Sequence, residues 1–151
     1  MNVAKVGEVQ LGPLVRAAEA EGFGFVERLR LELFAGDFDK SGAALFARFA
    51  KAGLVGVVGL IPDPYPDAEP DVGRLRHLYV LPHYRRQGIG KRLVAAVLAK
   101  AQQHYGVLRL RTDTPEAARF YEALGFYACS QPGATHRLEL NRLELGCIAP
   151  Q

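Results

Sequence analysis

Only two cysteines, Cys129 and Cys147, occur in the chain of 151 residues. Their spacing matches neither a zinc pair nor a disulfide framework, so both read as free thiols and no metal is expected. No apolar run approaches the roughly 20 residues of a membrane-spanning helix, so no membrane association is expected. Met1 is followed by Asn2-Val3-Ala4-Lys5 and not by a basic region with a long apolar core. No secretory signal is therefore expected, and a cytoplasmic location follows by default. Low-complexity tracts and internal repeats are missing as well. Excess charge is scarce, with 19 Lys and Arg against 16 Asp and Glu for a net of +3. Much of that excess lies between Arg74 and Arg92, which suits a local site for an anionic ligand better than a nucleic-acid surface.

The remainder, 49% hydrophobic and 23% charged, is ordinary for a folded domain. A chain of this length buries about two thirds of its unfolded surface in one domain, here residues 1–151. Val3 to Gln10 reads as a first strand, broken by Gly12-Pro13, with a short helix over Leu14 to Glu21. Helical spacing of Phe25, Val26, Leu29, Leu33 and Phe34 predicts a second helix, and Gly36 to Gly42 a loop. Ala44 to Ala50 and Leu54 to Ile61 form a hairpin in which Gly56 and Gly59 mark a bulge or a close approach to the backbone. After a proline-rich loop, Leu75 to Val80 is a strand and Lys91 to His104 a long amphipathic helix. Val107 to Thr112 is a strand with one strongly apolar face. Thr114 or Asp113 caps a helix over Glu116 to Leu124, and closing strands follow at Phe126 to Ser130 and Thr135 to Leu145.

The centre of this pattern is Leu75 to Lys100, where a strand leads through Pro82, Arg85 and Arg86 into Gly88-Ile89-Gly90 and directly into the long helix. A glycine turn at a helix start leaves backbone N–H groups facing outward, and the helix dipole favours an anion there by roughly 0.3–1 kcal/mol. A phosphorylated ligand is expected. The turn lacks the Lys-Ser/Thr pair of a P-loop and the third glycine of a dinucleotide fingerprint.

Leu78-Tyr79-Val80-x-Pro82-x-x-Arg85-x-x-Gly88-Ile89-Gly90 resembles the acyl-CoA signature of the GNAT superfamily of N-acyltransferases. Ala117-Ala118-Arg119-Phe120-Tyr121-Glu122-Ala123-Leu124-Gly125-Phe126 resembles the family's later helix and the start of the next strand. The resemblance implies an α/β fold: a mixed, mostly antiparallel central sheet of about six to seven strands flanked by about four helices. It implies acetyl-CoA as acyl-donor cosubstrate, with Leu78, Tyr79 and Val80 offering backbone groups to the pantetheine arm and Arg85, Arg86, Gln87, Gly88, Ile89, Gly90 and Lys91 around the pyrophosphate. Thr114 stands where relatives commonly carry an asparagine that bonds the pantetheine arm. Tyr121 matches a frequent general acid toward the departing thiolate. Homodimers are frequent in the family.

The expected reaction is transfer of an acetyl group from acetyl-CoA to a primary amine by direct attack in a ternary complex. A non-catalytic acyl-CoA-binding module of the same fold is the alternative. An amine with a pKa of about 10.4 must lose a proton before it attacks, which costs about 4.6 kcal/mol at pH 7. In some relatives a glutamate accepts that proton; the matching position here is Arg109. His77 and His136, with ordinary values near 6.5, are the expected bases, with Glu32 and Asp39 also candidates. Glu32, Asp37 and Asp39 would favour a cationic amine, small molecule or peptide. Cys129 has no recognisable His/Asp arrangement to support a covalent acyl-enzyme.

Overall fold

The computed structural model describes residues 8–51, 53–65 and 71–140. Among them, four helices and six strands run in the order α1 (Glu8–Ala20), α2 (Phe25–Phe34), β1 (Ala44–Ala50), β2 (Gly53–Pro62), β3 (Val72–Val80), α3 (Ile89–Ala101), β4 (Val107–Leu110), α4 (Pro115–Ala123), β5 (Tyr127–Ala128) and β6 (His136–Glu139). The strands form one sheet in the order β1-β2-β3-β4-β6-β5. Every neighbouring pair is antiparallel except β3 and β4, whose crossover is α3. This is the mixed, mostly antiparallel α/β architecture expected from the sequence. No described helix is long and apolar enough to cross a membrane.

Two apolar cores lie on opposite faces of the sheet. On one face Leu93, Val94 and Val97 of α3 pack with Val58, Leu60, Leu75, Leu108 and Leu110. On the other, Leu11, Leu14, Val26 and Leu29 of α1 and α2 cover Leu45, Val57, Ile61 and Tyr79. α1 corrects the expected start of the chain. Residues 8–10 are helical, Gly12 and Pro13 lie inside the helix, and residues 3–7 of the expected strand lie outside the described residues. Leu11, Leu14 and Ala18 are wholly buried at helical spacing. Burying each leucine contributes about 1.5–3 kcal/mol, enough to offset the roughly 3 kcal/mol that proline costs within a helix. Of the last expected strand, His136–Glu139 is observed, and residues 141–145 lie outside the described residues.

Gly56 and Gly59 of β2 each have a structural reason. The β1 register shifts beside Gly56, and the β3 register shifts between Val57 and Gly59. A Cβ on Gly59 would lie 2.7 Å from the Phe38 ring, so the ring requires its bareness.

Under the loop after β2, the side chain of Asp63 is fully buried between Arg74, 3.4 Å away, and Arg109, 3.0 Å away. Arg74 and Arg109 are register partners on β3 and β4 and therefore share a face. Their remaining N–H groups reach across to the β5–β6 turn, Arg109 donating to the Pro132 carbonyl at 2.9 Å and Arg74 to the Gly133 carbonyl. The Tyr65 ring lies against Gly133 and under the Arg74 guanidinium. The triad thus ties two loops to the sheet at the point where β3 and β4 stop pairing.

Candidate active site

β3 and β4 pair only from Val72 to Arg74 against Val107 to Arg109. Beyond that, β4 stays with β6: Thr135 donates its N–H to the Leu110 carbonyl, and Thr112 donates to the Thr135 hydroxyl. β3 stays with β2, through Val57 opposite Tyr79 and Gly56 opposite Val80. The strands therefore diverge, and the β4-facing edge of Leu75 to Val80 is left for another partner. Unpaired strand edges accept an extended ligand by adding it as a further strand.

His77 is where β3 turns. Its φ of 62° is left-handed, and the sequence 77–78 stands opposite Val58 alone, which makes a bulge. Such a conformation costs a non-glycine residue about 1–3 kcal/mol. It also changes the alternation. Arg74 faces the α1–α2 side, and the extra residue lets His77 face that side too, with Tyr79. There the imidazole stacks on Phe25 of α2 at 6.1 Å, and Nε2 lies 3.0 Å from the Glu32 carboxylate. Arg76 completes the group, its Nε 3.1 Å from His77 Nε2 and its guanidinium 3.4 Å from Glu32. Burial, against the opposing pull of Glu32, holds the His77 pKa below its ordinary value. Glu32 is depressed in spite of its own desolvation, because His77 and Arg76 favour its charge.

The second expected base lies elsewhere. His136 is the register partner of Leu110, whose side chain belongs to the α3–α4 face. Its Nε2 is 2.9 Å from Glu122 of α4 and its Nδ1 3.0 Å from the Thr135 hydroxyl, so both ring nitrogens are engaged. The two histidines are on opposite faces of the sheet. Asp39 is exposed in a 3-10 turn after α2 (Asp37–Asp39) and makes no polar contact with Glu32 or His77 among the described residues.

At the carboxyl end of β3, Pro82 opens a short 3-10 turn and the chain enters α3 through Gly88. Arg86 and Gly88 are both left-handed, with φ of 63° and 83°. No side chain caps α3, so its first N–H groups face outward beside exposed Arg86, Gln87 and Lys91. Gly88 is required by its φ. Gly90 is not required by the protein: a Cβ there would meet Phe120 at 3.5 Å, an ordinary contact. Its bareness suits a close approach from outside the chain. Arg85 is held away from this turn. It donates to the Val80 carbonyl at 2.8 Å, grips Glu21 in the turn after α1 at 2.6 and 2.9 Å, and lies over the Tyr79 ring.

α4 closes the opposite side. Thr114 caps it, its hydroxyl oxygen accepting from the Ala117 N–H at 3.1 Å. Tyr121 is buried in the core with Val80 and Ile89, its ring edge-on to Phe120 and Phe126. Burial raises its pKa, so the phenol stays protonated across the neutral range. No hydrogen bond engages its hydroxyl among the described residues. Sequence reasoning named Glu32, His77, Arg85 and Tyr121 but not Arg76 or Glu21, and it missed the Glu32–His77 contact, which spans 45 residues, and the commitment of Arg85 to Glu21, which spans 64. A shallow groove of about 570 Å³ between Phe46 and Ala95, Ala96 and Ala99 of α3, with Arg92, Lys100 and Gln103 also in its lining, lies outside this site.

Comparison with known proteins agrees with this geometry. Residues 41–128, more than half of the chain, match the family model described as acetyltransferase (GNAT) domain. Human N-acetyltransferase 8 is 34% identical over 93 residues, which are 60% of this chain and 41% of that protein. The chain thus spans less than half the length of that relative. A solved structure of a protein from Exiguobacterium sp. 255-15, assigned as an acetyltransferase, shares 29% identity with a TM-score of 0.77, covering 89% of this chain and 88% of that one. An aminoglycoside 6'-N-acetyltransferase solved with coenzyme A has the same fold, at 20% identity, a TM-score of 0.61 and 86% coverage of both chains. The divergent strands, the glycine turn and the matched residues agree: the chain belongs to the GNAT acetyltransferase family.

Proposed function

We propose that the protein transfers an acetyl group from acetyl-CoA to a primary amine by direct attack in a ternary complex. The observation that carries this reading is the opening between β3 and β4, with an uncapped α3 N-terminus at its end. The pantetheine arm would pair with the edge at Leu78 to Val80 that β4 leaves open, beside the Arg85 side chain on the Val80 carbonyl, while the N–H groups of Gly88 to Lys91, with Arg86 and Lys91, would meet the pyrophosphate. Coenzyme A bound to a neighbour of the same fold supports the choice of an acyl-CoA as donor. In the transfer the amine nitrogen bonds to the thioester carbon, the C–S bond breaks, and the amine loses a proton. Tyr121, protonated and on the α4 face, would donate to the leaving sulfur. His77 lies on the other face, toward α1 and α2, so proton donor and acceptor would flank the carbonyl from opposite sides. The acceptor would enter between α2 and β3.

The test is incubation with acetyl-CoA and a panel of primary amines, with released CoA thiol as readout. Amine-dependent release is expected. CoA binding without release for any amine would favour the non-catalytic binding module.

A further inference from the structure

We propose that Arg74, Arg109 and Arg137 are positioning residues for the acyl-CoA slot: they strap the β5–β6 turn across the root of the fork between β3 and β4, and so set its opening before the ligand arrives. This deepens the proposed function and rests on it. Arg74 of β3 is the register partner of Arg109 of β4, and Arg109 is the register partner of Arg137 of β6. Three guanidinium side chains therefore stand in one row on one face of the sheet. Three successive residues of the β5–β6 turn accept from them in the same order. Arg137 donates to the Gln131 side-chain oxygen at 3.0 Å, Arg109 to the Pro132 carbonyl at 2.9 Å, and Arg74 to the Gly133 carbonyl. A turn that joins the two outermost strands on this side of the sheet thus reaches over β4 as far as β3.

Like charges directly opposite one another destabilise a sheet, so the row needs compensation. Asp63 supplies it to Arg74 and Arg109, and Glu139 to Arg137 at 2.8 Å. Arg74 is 4% exposed and Arg109 wholly buried, so the row is not a solvated face. The turn is also packed from outside: a Cβ on Gly133 would lie 2.6 Å from the Tyr65 ring. Its position in the fold gives the row its role. Arg74 and Arg109 are the last register pair that joins β3 to β4, and from Leu75 onward no ladder pair links the two strands among the described residues. The strap is anchored to β3 through Arg74 and to β4 and β6 through Arg109 and Arg137, so it fixes the separation that the ladder no longer sets. Thr135, just past the turn, holds β4 on the β6 side by donating its N–H to the Leu110 carbonyl. A slot whose walls are already fixed loses less free energy to ordering when its ligand binds.

Arg137→Gln tests this without stranding a buried charge, because the Arg137 side chain is 15% exposed and its counter-ion Glu139 is 52% exposed. The first readout needs no ligand. The Ala134 N–H, which donates to the Gln131 backbone carbonyl at 3.1 Å, is expected to exchange with solvent deuterium faster in the variant, with the amides of α1 little changed. Calorimetric titration is then expected to show a Kd for acetyl-CoA raised about tenfold. The KM for acetyl-CoA should rise with it while kcat at saturation holds. Gln131→Ala removes the same contact from the other side, so it is expected to match Arg137→Gln, and the double variant to lose no more than either. Arg137→Lys, which keeps a donor, is expected to recover most of the affinity. Ala134 exchange in Arg137→Gln as slow as in the native protein overturns the proposal, as does faster exchange with native affinity for acetyl-CoA. Failure of the broader reading looks different: the native protein itself binds no acetyl-CoA at millimolar concentration, whatever the exchange of Ala134.

Discussion

Arg109 is wholly buried with its Nε 3.0 Å from the carboxylate of Asp63, and Arg74, its register partner, approaches the same carboxylate from the neighbouring strand. Two guanidinium groups therefore share one buried anion, and carbonyls of the β5–β6 turn satisfy part of the excess. Asp63→Asn removes the buried carboxylate that both guanidinium groups approach. A loss of about 3–5 kcal/mol in urea denaturation is expected, because removing one partner strands buried charge. A loss under about 1 kcal/mol would show that the carbonyls suffice alone.

Tyr121→Phe separates chemistry from packing. The hydroxyl has no bonding partner among the described residues, so its removal is expected to leave the unfolding midpoint nearly unchanged. Turnover is expected to fall by about 10²-fold, with acetyl-CoA affinity unaltered, as kcat and calorimetric titration would show.

Gly90→Ala separates ligand space from protein space. A Cβ there meets only ordinary contacts, and alanine favours a helix over glycine by about 0.5–1 kcal/mol, so stability is expected to hold or rise. Acetyl-CoA affinity is expected to drop at least about tenfold, because the methyl group enters the space of the pyrophosphate.

Stability should fall with acid in a window set by His77. Its folded pKa lies below the unfolded value of 6.5, so the neutral ring's contribution is complete above 6.5 and is lost as pH falls from there through the folded value. Glu32, also depressed, adds a second loss beginning near its unfolded value of 4.5. Thermal midpoints measured from pH 7.5 to 4 are expected to decline across both windows, and His77→Asn is expected to flatten the upper one.

Much of the fold was legible in the sequence because its signals are local. Helical spacing from Phe25 to Phe34, the hairpin around Lys51 and the caps of α4 each fall within a few residues. α1 was legible only in part, because Gly12-Pro13 reads as a break until Leu11, Leu14 and Ala18 are known to share a buried face. At the site, the glycine turn and Tyr121 were readable from motif spacing. The bulge was not, because a left-handed histidine has no compositional mark. Nor was the burial of Arg109: on an alternating strand a charged residue reads as solvent-facing, and Asp63 is distant in the chain. Glu32 and His77 were each named as candidate bases, and only the fold shows that they touch.

The most direct test of the account is a titration of 15N-labelled protein with acetyl-CoA, followed by backbone amide shifts. The account predicts saturable shifts confined chiefly to Leu78–Val80 and Gln87–Lys91. Absence of shifts at millimolar acetyl-CoA, or saturable shifts centred on the outer groove of α3 instead, would contradict it.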